Sequence, residues 1–166
     1  TMDSGVTVAA LVAVNSDGSV VDPDNGRPWE IRLEVDHEFG AKGKRAVKLP
    51  QAPQSQPAKN TTIGIIATDA DLTATQTQKV AQMAHDGMAR AIRPAHTMFD
   101  GDTIFCLATG KKELTEAPGF FIAPRALALN ELGHVAANCM SRAIIHAILN
   151  ARSLAGMTAF CDLTNM

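Results

Sequence analysis

A threonine becomes a nucleophile when a base lies beside its hydroxyl, and the α-amine of the same residue can be that base once the peptide bond before it is cut. The stretch "KNTTIGIIATDADLT" (residues 59–73) offers such a residue. Asn60 ends a basic, proline-dotted segment, Thr61 and Thr62 follow, and an apolar run begins at once. A free α-amine, with a pKa of about 7.7–8.0, suits general-base work near neutrality. It exists at Thr61 only after the Asn60–Thr61 bond is broken, and a flexible segment ending there is what such a cut needs. A second stretch, "FDGDT" (99–103), sets Asp100 and Asp102 two apart at the entrance of another apolar run, where they project to the same side. These carboxylates could orient the ammonium and hydroxyl of Thr61. Threonines also open strands with no chemistry attached. A pair of aspartates is often only a solvated turn, or part of a metal site lacking its other ligands.

Other patterns carry less. Asp22, Asp24 and Gly26 hint at a calcium loop, but the glycine falls one place early and the closing glutamate is missing, which leaves an ordinary turn. Glu131 and His134 stand three apart in "ELGH", half of a di-iron motif whose second copy the sequence does not contain. His85 falls beside an apolar stripe and His96 follows a helix end, so both read as satisfied core or capping histidines. There is no GxGxxG, Walker loop or GxSxG. Thr1 is a rival nucleophile, set apart from the first strand by the turn-like Met2-Asp3-Ser4-Gly5.

The elements that must position Thr61 and the aspartates follow from periodicity. "VTVAALVAV" (6–14) is β-branched and apolar, long enough for a buried strand, and "GSVV" (18–21) reads as its hairpin partner after a turn at Asn15–Gly18. "DPDNGRPWE" (22–30) is turn chemistry. From Gly40 to Asn60 there are five basic residues, no acidic one and three prolines, the composition of a solvated, mobile linker. "TIGIIAT" (62–68) and "TIFCLAT" (103–109) read as further strands. Residues 74–92 read as a helix, with Val80, Ala84, Met88 and Ile92 on one face and Pro94 beyond its end. "GKKELTEAPGFF" (110–121) reads as a loop. Residues 125–150 read as a second long helix, with Leu132, Ala136, Cys139, Ala143 and Ala147 on one face. Strands and helices are mixed without a repeat, so the class is α+β or layered α/β.

Bulk composition narrows the functions. A chain of 166 residues suits one domain. At 46% hydrophobic and 19% charged it is globular. A net charge of −2 gives no general attraction to nucleic acid or an acidic membrane. The basic stretch lacks interleaved aromatics, so a solvated linker is a better reading than a nucleic-acid patch. Cys106, Cys139 and Cys161 are an odd set without CxxC spacing, read as reduced thiols of a cytoplasmic protein. No apolar run has the length of a membrane-spanning helix, and the start has no signal-peptide pattern.

"NTTIGIIATDADLT", then "MAHDGMARAIRPAHTMFDGDTIFCLATG", together with the upstream "VAALVAVNSDGSVVDP", closely resemble the L-aminopeptidase/D-esterase family, which includes β-peptidyl aminopeptidases and hydrolases of nylon oligomers. The resemblance runs from Val6 to about Leu149. It implies an αββα sandwich like that of N-terminal nucleophile hydrolases, of which this chain would form the C-terminal part. It implies a precursor that cuts itself between Asn60 and Thr61. Residues 1–60 would then end an α-chain, with the linker at 40–60, and 61–166 would be a β-chain beginning at the nucleophile, the two sharing one domain. Thr61 would be the nucleophile, Asn15 would hold the oxyanion through its side-chain amide, and Asp100 and Asp102 would orient the nucleophile. The paired aspartates with a threonine look closer to the nylon-oligomer hydrolases than to the serine-type aminopeptidases. The implied substrate is a small peptide or amide, with no metal or organic cofactor, no nucleic acid and no membrane, in a homo-oligomer. Family members also carry a large portion upstream of the segment matching Val6, which supplies pocket residues. The chain is therefore expected to work with that α-chain portion of the same precursor. An acyltransferase is the alternative within enzymes, because an amine can relieve an acyl-enzyme in place of water. A non-catalytic assembly subunit is the alternative outside them.

Overall fold

The computed structural model describes residues 1–50, 60–116 and 123–165. In chain order the elements are β1 (Val8–Ala13), a short 3-10 helix (Ile31–Leu33), α1 (Gly40–Gly43), β2 (Ile63–Ala70), α2 (Ala74–Ala91), β3 (Thr103–Lys112), α3 (Ala126–Asn150) and a 3-10 helix at Phe160–Asp162. β2 is the central strand. It pairs antiparallel with β1, from Val8 opposite Thr68 to Ala13 opposite Ile63, and parallel with β3, where Ile63 stands opposite Thr103. α2 is the crossover that a parallel pair requires. α2 and α3 pack on each other, α3 also against β1 and α2 also against β3. The class is α+β, one three-stranded sheet with the two long helices packed against it.

Local chemistry explains the helices. The hydroxyl of Thr73 accepts the N–H of Gln76 at 3.3 Å while the Gln76 side chain accepts the N–H of Thr73 at 2.9 Å, a capping box that fixes the start of α2. Val80, Ala84, Met88 and Ile92 are all buried, as their four-residue spacing predicts. Where α2 crosses α3 the contact is backbone to backbone. A Cβ on Gly87 would lie 2.0 Å from the Ala137 carbonyl oxygen, and the Ser141 hydroxyl donates to the Gly87 carbonyl at 2.7 Å. Gly87→Ala is therefore expected to lower stability by about 1–3 kcal/mol through overpacking, read as a fall in the denaturant midpoint.

Five readings change in three dimensions. "GSVV" is not the partner of β1, whose neighbour is β2. Ser19 instead forms an isolated antiparallel bridge with Arg93, and Val20 and Val21 are buried in the core. Gly18 lies so close to Pro94 that a Cβ there would meet its carbonyl oxygen at 1.9 Å. The first half of the expected linker is anchored: Val47 is buried, and Arg45 donates to the Leu163 carbonyl at 2.8 Å and to the Cys161 carbonyl. Its remainder, 51–59, and residues 117–121 of the expected 110–121 loop lie outside the described residues, and the start of that loop belongs to β3.

On α3, Leu132 and Ala136 are buried as expected, but the buried stripe continues through Met140, Ile144, Ile145 and Leu149, with Cys139, Ala143 and Ala147 only half-buried. α3 serves two clusters, which broadens its covered face. Leu132, Ala136, Met140 and Ile144 join the main core, while Ile145 and Leu149 pack with Val21, Phe39, Val47 and Phe160.

Lastly, the strands are not buried on both sides. Gly64, Ile66, Thr68 and Ala70 face the helices, whereas Leu11, Ile63, Phe105 and Leu107 are each more than half exposed on the opposite face. Runs of apolar residues long enough for a doubly covered sheet thus leave one apolar face open.

Candidate active site

The end of β1 and the starts of β2 and β3 meet at one edge of the sheet. That geometry brings Asn15, the 60–62 segment and the 99–102 loop together, as the pairing of Asn60 with Asp100 records. Thr1 precedes the opposite end of β1, where Val8 pairs with Thr68, and takes no part.

The Asn60–Thr61 peptide is gripped on every polar atom. The Asn60 carbonyl oxygen accepts the Gly101 N–H at 2.9 Å and the Thr61 hydroxyl at 2.6 Å. The Asn60 N–H donates to the Phe99 carbonyl at 3.1 Å, and the Thr61 N–H donates to the Asn15 carbonyl at 2.8 Å. The Asn60 carboxamide donates to the Asp17 carboxylate at 3.2 Å. Gly101 lies close against this residue: a Cβ there would stand 3.1 Å from the Thr61 hydroxyl oxygen, a tight contact.

The aspartates take different posts. Asp100 accepts the N–H and the hydroxyl of Thr97 at 2.9 and 2.7 Å and the Asp17 N–H at 3.1 Å. Burial pushes its carboxyl up, but these hydrogen bonds outweigh the burial and hold it below the usual carboxylate range. Asp102 accepts the Thr62 N–H at 2.8 Å through one oxygen and meets His96 Nδ1 at 2.8 Å through the other, its side chain 4% exposed. Neither carboxylate bonds the Thr61 hydroxyl, which donates to the Asn60 carbonyl. Thr61 and Gly101 lie together, while Thr62 and Asp102 form the neighbouring pair turned toward the helices, where Thr62 is fully buried.

Asn15 is exposed, its carbonyl committed to Thr61 and its residue at the mouth of a cavity of about 330 Å³, lined also by Val14, Ser16, Val20, Ile148 and Phe160. The Thr62 hydroxyl has no hydrogen-bond partner among the described residues.

Three residues that meet this edge were not singled out for it in the sequence. His96 reads from its position as a capping residue, but it meets the Asp102 carboxylate and has a left-handed backbone at φ +55°, a conformation costly for a side chain this size. His85 packs behind it, its ring tilted 56° with centroids 5.0 Å apart, and burial, followed by the charge of His96, lowers the His85 pKa. Asp17 and Gly101 gave no signal beyond their nearness to Asn15 and to the aspartate pair. Among the described residues no group of three or more His, Cys, Asp and Glu is placed to hold a metal ion, and Asp22 simply caps its own turn by accepting the Asp24 N–H at 2.9 Å.

The sequence profile of peptidase family S58 matches residues 1–160. An uncharacterized aminopeptidase of Mycobacterium leprae (strain TN) is 44% identical over 168 residues, covering 98% of this chain and 46% of its own length. A 6-aminohexanoate-oligomer endohydrolase of Agromyces sp. (strain KY5R) is 33% identical over 147 residues, covering 86% of this chain and 41% of its own length. The solved structure of a Burkholderia sp. beta-aminopeptidase shares the fold, with a TM-score of 0.50 at 23% identity over 89% of this chain and 38% of that one. The chain thus spans about half the length of the curated relatives it matches.

Proposed function

The chain belongs to peptidase family S58, and from that premise we propose that it is the nucleophile-bearing part of an amide hydrolase that cuts itself between Asn60 and Thr61. The observation that carries this reading is the peptide itself: a carbonyl polarised by the Gly101 N–H at 2.9 Å, with the Thr61 hydroxyl 2.6 Å from its oxygen. In the precursor the Thr61 oxygen attacks the Asn60 carbonyl carbon, and the Gly101 N–H takes the developing negative charge. The C–N bond breaks, the hydroxyl proton ends on the departing nitrogen, and the chain becomes an ester on Thr61. Water then releases the Asn60 carboxylate and leaves a free amine on Thr61 beside the Asn15 carbonyl.

In turnover that amine takes the proton of its own hydroxyl, the oxygen attacks the substrate amide carbon, and the proton passes on to the leaving amine as the C–N bond breaks, leaving an acyl-enzyme ester. The Asn15 side-chain amide serves as an oxyanion donor, worth about 3–4 kcal/mol in the transition state. Asp102, held by His96, fixes Thr62 and so aims the new N-terminus, while Asp100 secures the loop that carries Gly101. Water completes the reaction, so the chemistry needs no metal or organic cofactor.

The reading extends to partners and place. The open apolar face bearing Leu11, Ile63 and Phe105 packs against the remainder of the full-length protein, an α-chain portion that this chain's share of its relatives leaves room for. Three cysteines without a disulfide suit the cytoplasm. Among the described residues no helix is long and apolar enough to cross a membrane. A homo-oligomer acting on small peptides or amides completes the proposal.

Intact-mass spectrometry of the purified full-length protein tests it. Two polypeptides are expected, one beginning at Thr61. An active protein whose 60–61 bond is whole would falsify the mechanism and return Thr61 and Thr62 to the role of strand openers.

A further inference from the structure

The Asn60–Thr61 peptide is held from two sides. On one side, residues 99–101 take the backbone of Asn60 through the Phe99 carbonyl and the Gly101 N–H. On the other stands the turn at 15–18, braced by the Ser16 hydroxyl, which donates to the Gly18 carbonyl at 2.7 Å. This turn straddles the bond. The Asn15 carbonyl takes the Thr61 N–H at 2.8 Å on the amine half, and the Asp17 carboxylate takes the Asn60 carboxamide N–H at 3.2 Å on the acyl half. Asp17 is anchored in turn, since its N–H donates to Asp100 Oδ1 at 3.1 Å and Asp100 accepts the N–H and hydroxyl of Thr97.

The side-chain bond is chemically selective. An ionised aspartate only accepts, so it needs a donor opposite, and the carboxamide of Asn60 supplies one. An aspartate at 60 would instead set a second carboxylate against Asp17, with Asp100 close behind. Resting on the self-cutting reading above, we infer that Asp17 is a positioning residue for the self-cut. Through the Asn60 side chain it steadies the acyl half of the bond, while the Asn15 carbonyl steadies the amine half. The backbone bonds to Phe99 and Gly101 survive loss of the carboxylate, so the cut slows without stopping. A hydrogen bond to an exposed charge sets the scale of that loss at about 3- to 10-fold. The contact is made to Asn60 itself, so the dependence belongs to the cut more than to turnover. Asp17 is exposed and Asn60 half-buried, and neither belongs to the core, so the variants below should fold.

The test follows the cut in freshly synthesised full-length precursor by gel electrophoresis and intact mass. Asp17→Ala is expected to cut about 3- to 10-fold more slowly than the parent. Asn60→Asp should slow the cut about 10-fold, with a deficit that shrinks as salt screens the two carboxylates. Combining Asn60→Asp with Asp17→Asn exchanges donor and acceptor, and should bring the rate to within about threefold of the parent, the coupling that a double-mutant cycle reads. Loss of kcat per cut chain in Asp17→Ala should be smaller than loss in the rate of the cut. Where the parent is cut at Thr61, an Asp17→Ala variant cutting at the parent rate, or a double variant no faster than Asn60→Asp alone, overturns this inference and leaves the self-cut standing. Equal losses in cut and turnover overturn the assignment of Asp17 to the cut. A parent that stays whole overturns the inference together with the reading on which it rests. So does a piece ending at Asn60 that is lighter by one water, because the carboxamide nitrogen, closing on its own carbonyl, would then have replaced the Thr61 oxygen as nucleophile.

Discussion

Thr61→Ala is expected to yield one uncut polypeptide without amide hydrolase activity, because a single oxygen serves as nucleophile for the self-cut and for every turnover. The fold should survive the change. Thr61 is only half-buried and contributes no side chain to the core, so its loss disturbs little packing. Thr61→Ser should cut and turn over more slowly, since it keeps the hydroxyl and loses only a methyl. The control lies one residue on. Thr62 has a hydroxyl too, but it is fully buried, turned toward the helices and unpartnered among the described residues. Thr62→Val keeps the shape and removes that unsatisfied oxygen, so it should spare the cut and leave stability unchanged or raise it by about 1 kcal/mol. Gel electrophoresis and hydrolysis assays on the three variants decide the matter. Efficient cutting by Thr61→Ala would sink the assignment of the nucleophile.

Asp102→Ala should slow both the cut and turnover by about 100-fold, the cost of a misplacement on the scale of an ångström. Its carboxylate bridges the Thr62 N–H and His96 Nδ1, and its removal leaves the Thr62 N–H without its acceptor at the entrance of β2. Asp102→Asn separates the two bonds. The amide oxygen can still accept the Thr62 N–H, while the charge opposite His96 is gone. Activity between those of the parent and the alanine variant is the expected result. Single-turnover rates, measured beside thermal midpoints, distinguish aiming from folding: a lower midpoint with unchanged rates would reduce Asp102 to a structural residue.

Much of this molecule is legible without coordinates. β2, α2, β3 and α3 are legible locally, the strands as short apolar, β-branched runs and the helices from a spacing close to four, because burial of one helix face imposes that spacing on the residues. Val80, Ala84, Met88 and Ile92 carry the pattern so cleanly that their burial follows from it. The junction at Asn60 is legible too, since a change in composition and a hydroxyl residue are properties of neighbours in the chain.

What the chain meets across long separations was decided only by the tertiary structure. "GSVV" satisfies every local rule for a hairpin strand, yet β1 has a better partner in β2, and Ser19 takes Arg93 instead. Arg45 sits in a segment with the composition of a linker, but the carbonyls of Cys161 and Leu163 hold it in place. The site shows the same division. Thr61 and the aspartate pair announce themselves by residue type. The contact of Asp17 with Asn60 and that of Gly101 with the Asn60 carbonyl join residues distant in sequence, brought near by the pairing of β2 with β1 and β3. Residue type and period state what a side chain can do and which way it faces. The partner that makes it do so depends on which faces pack together, and that is a sum over the whole fold.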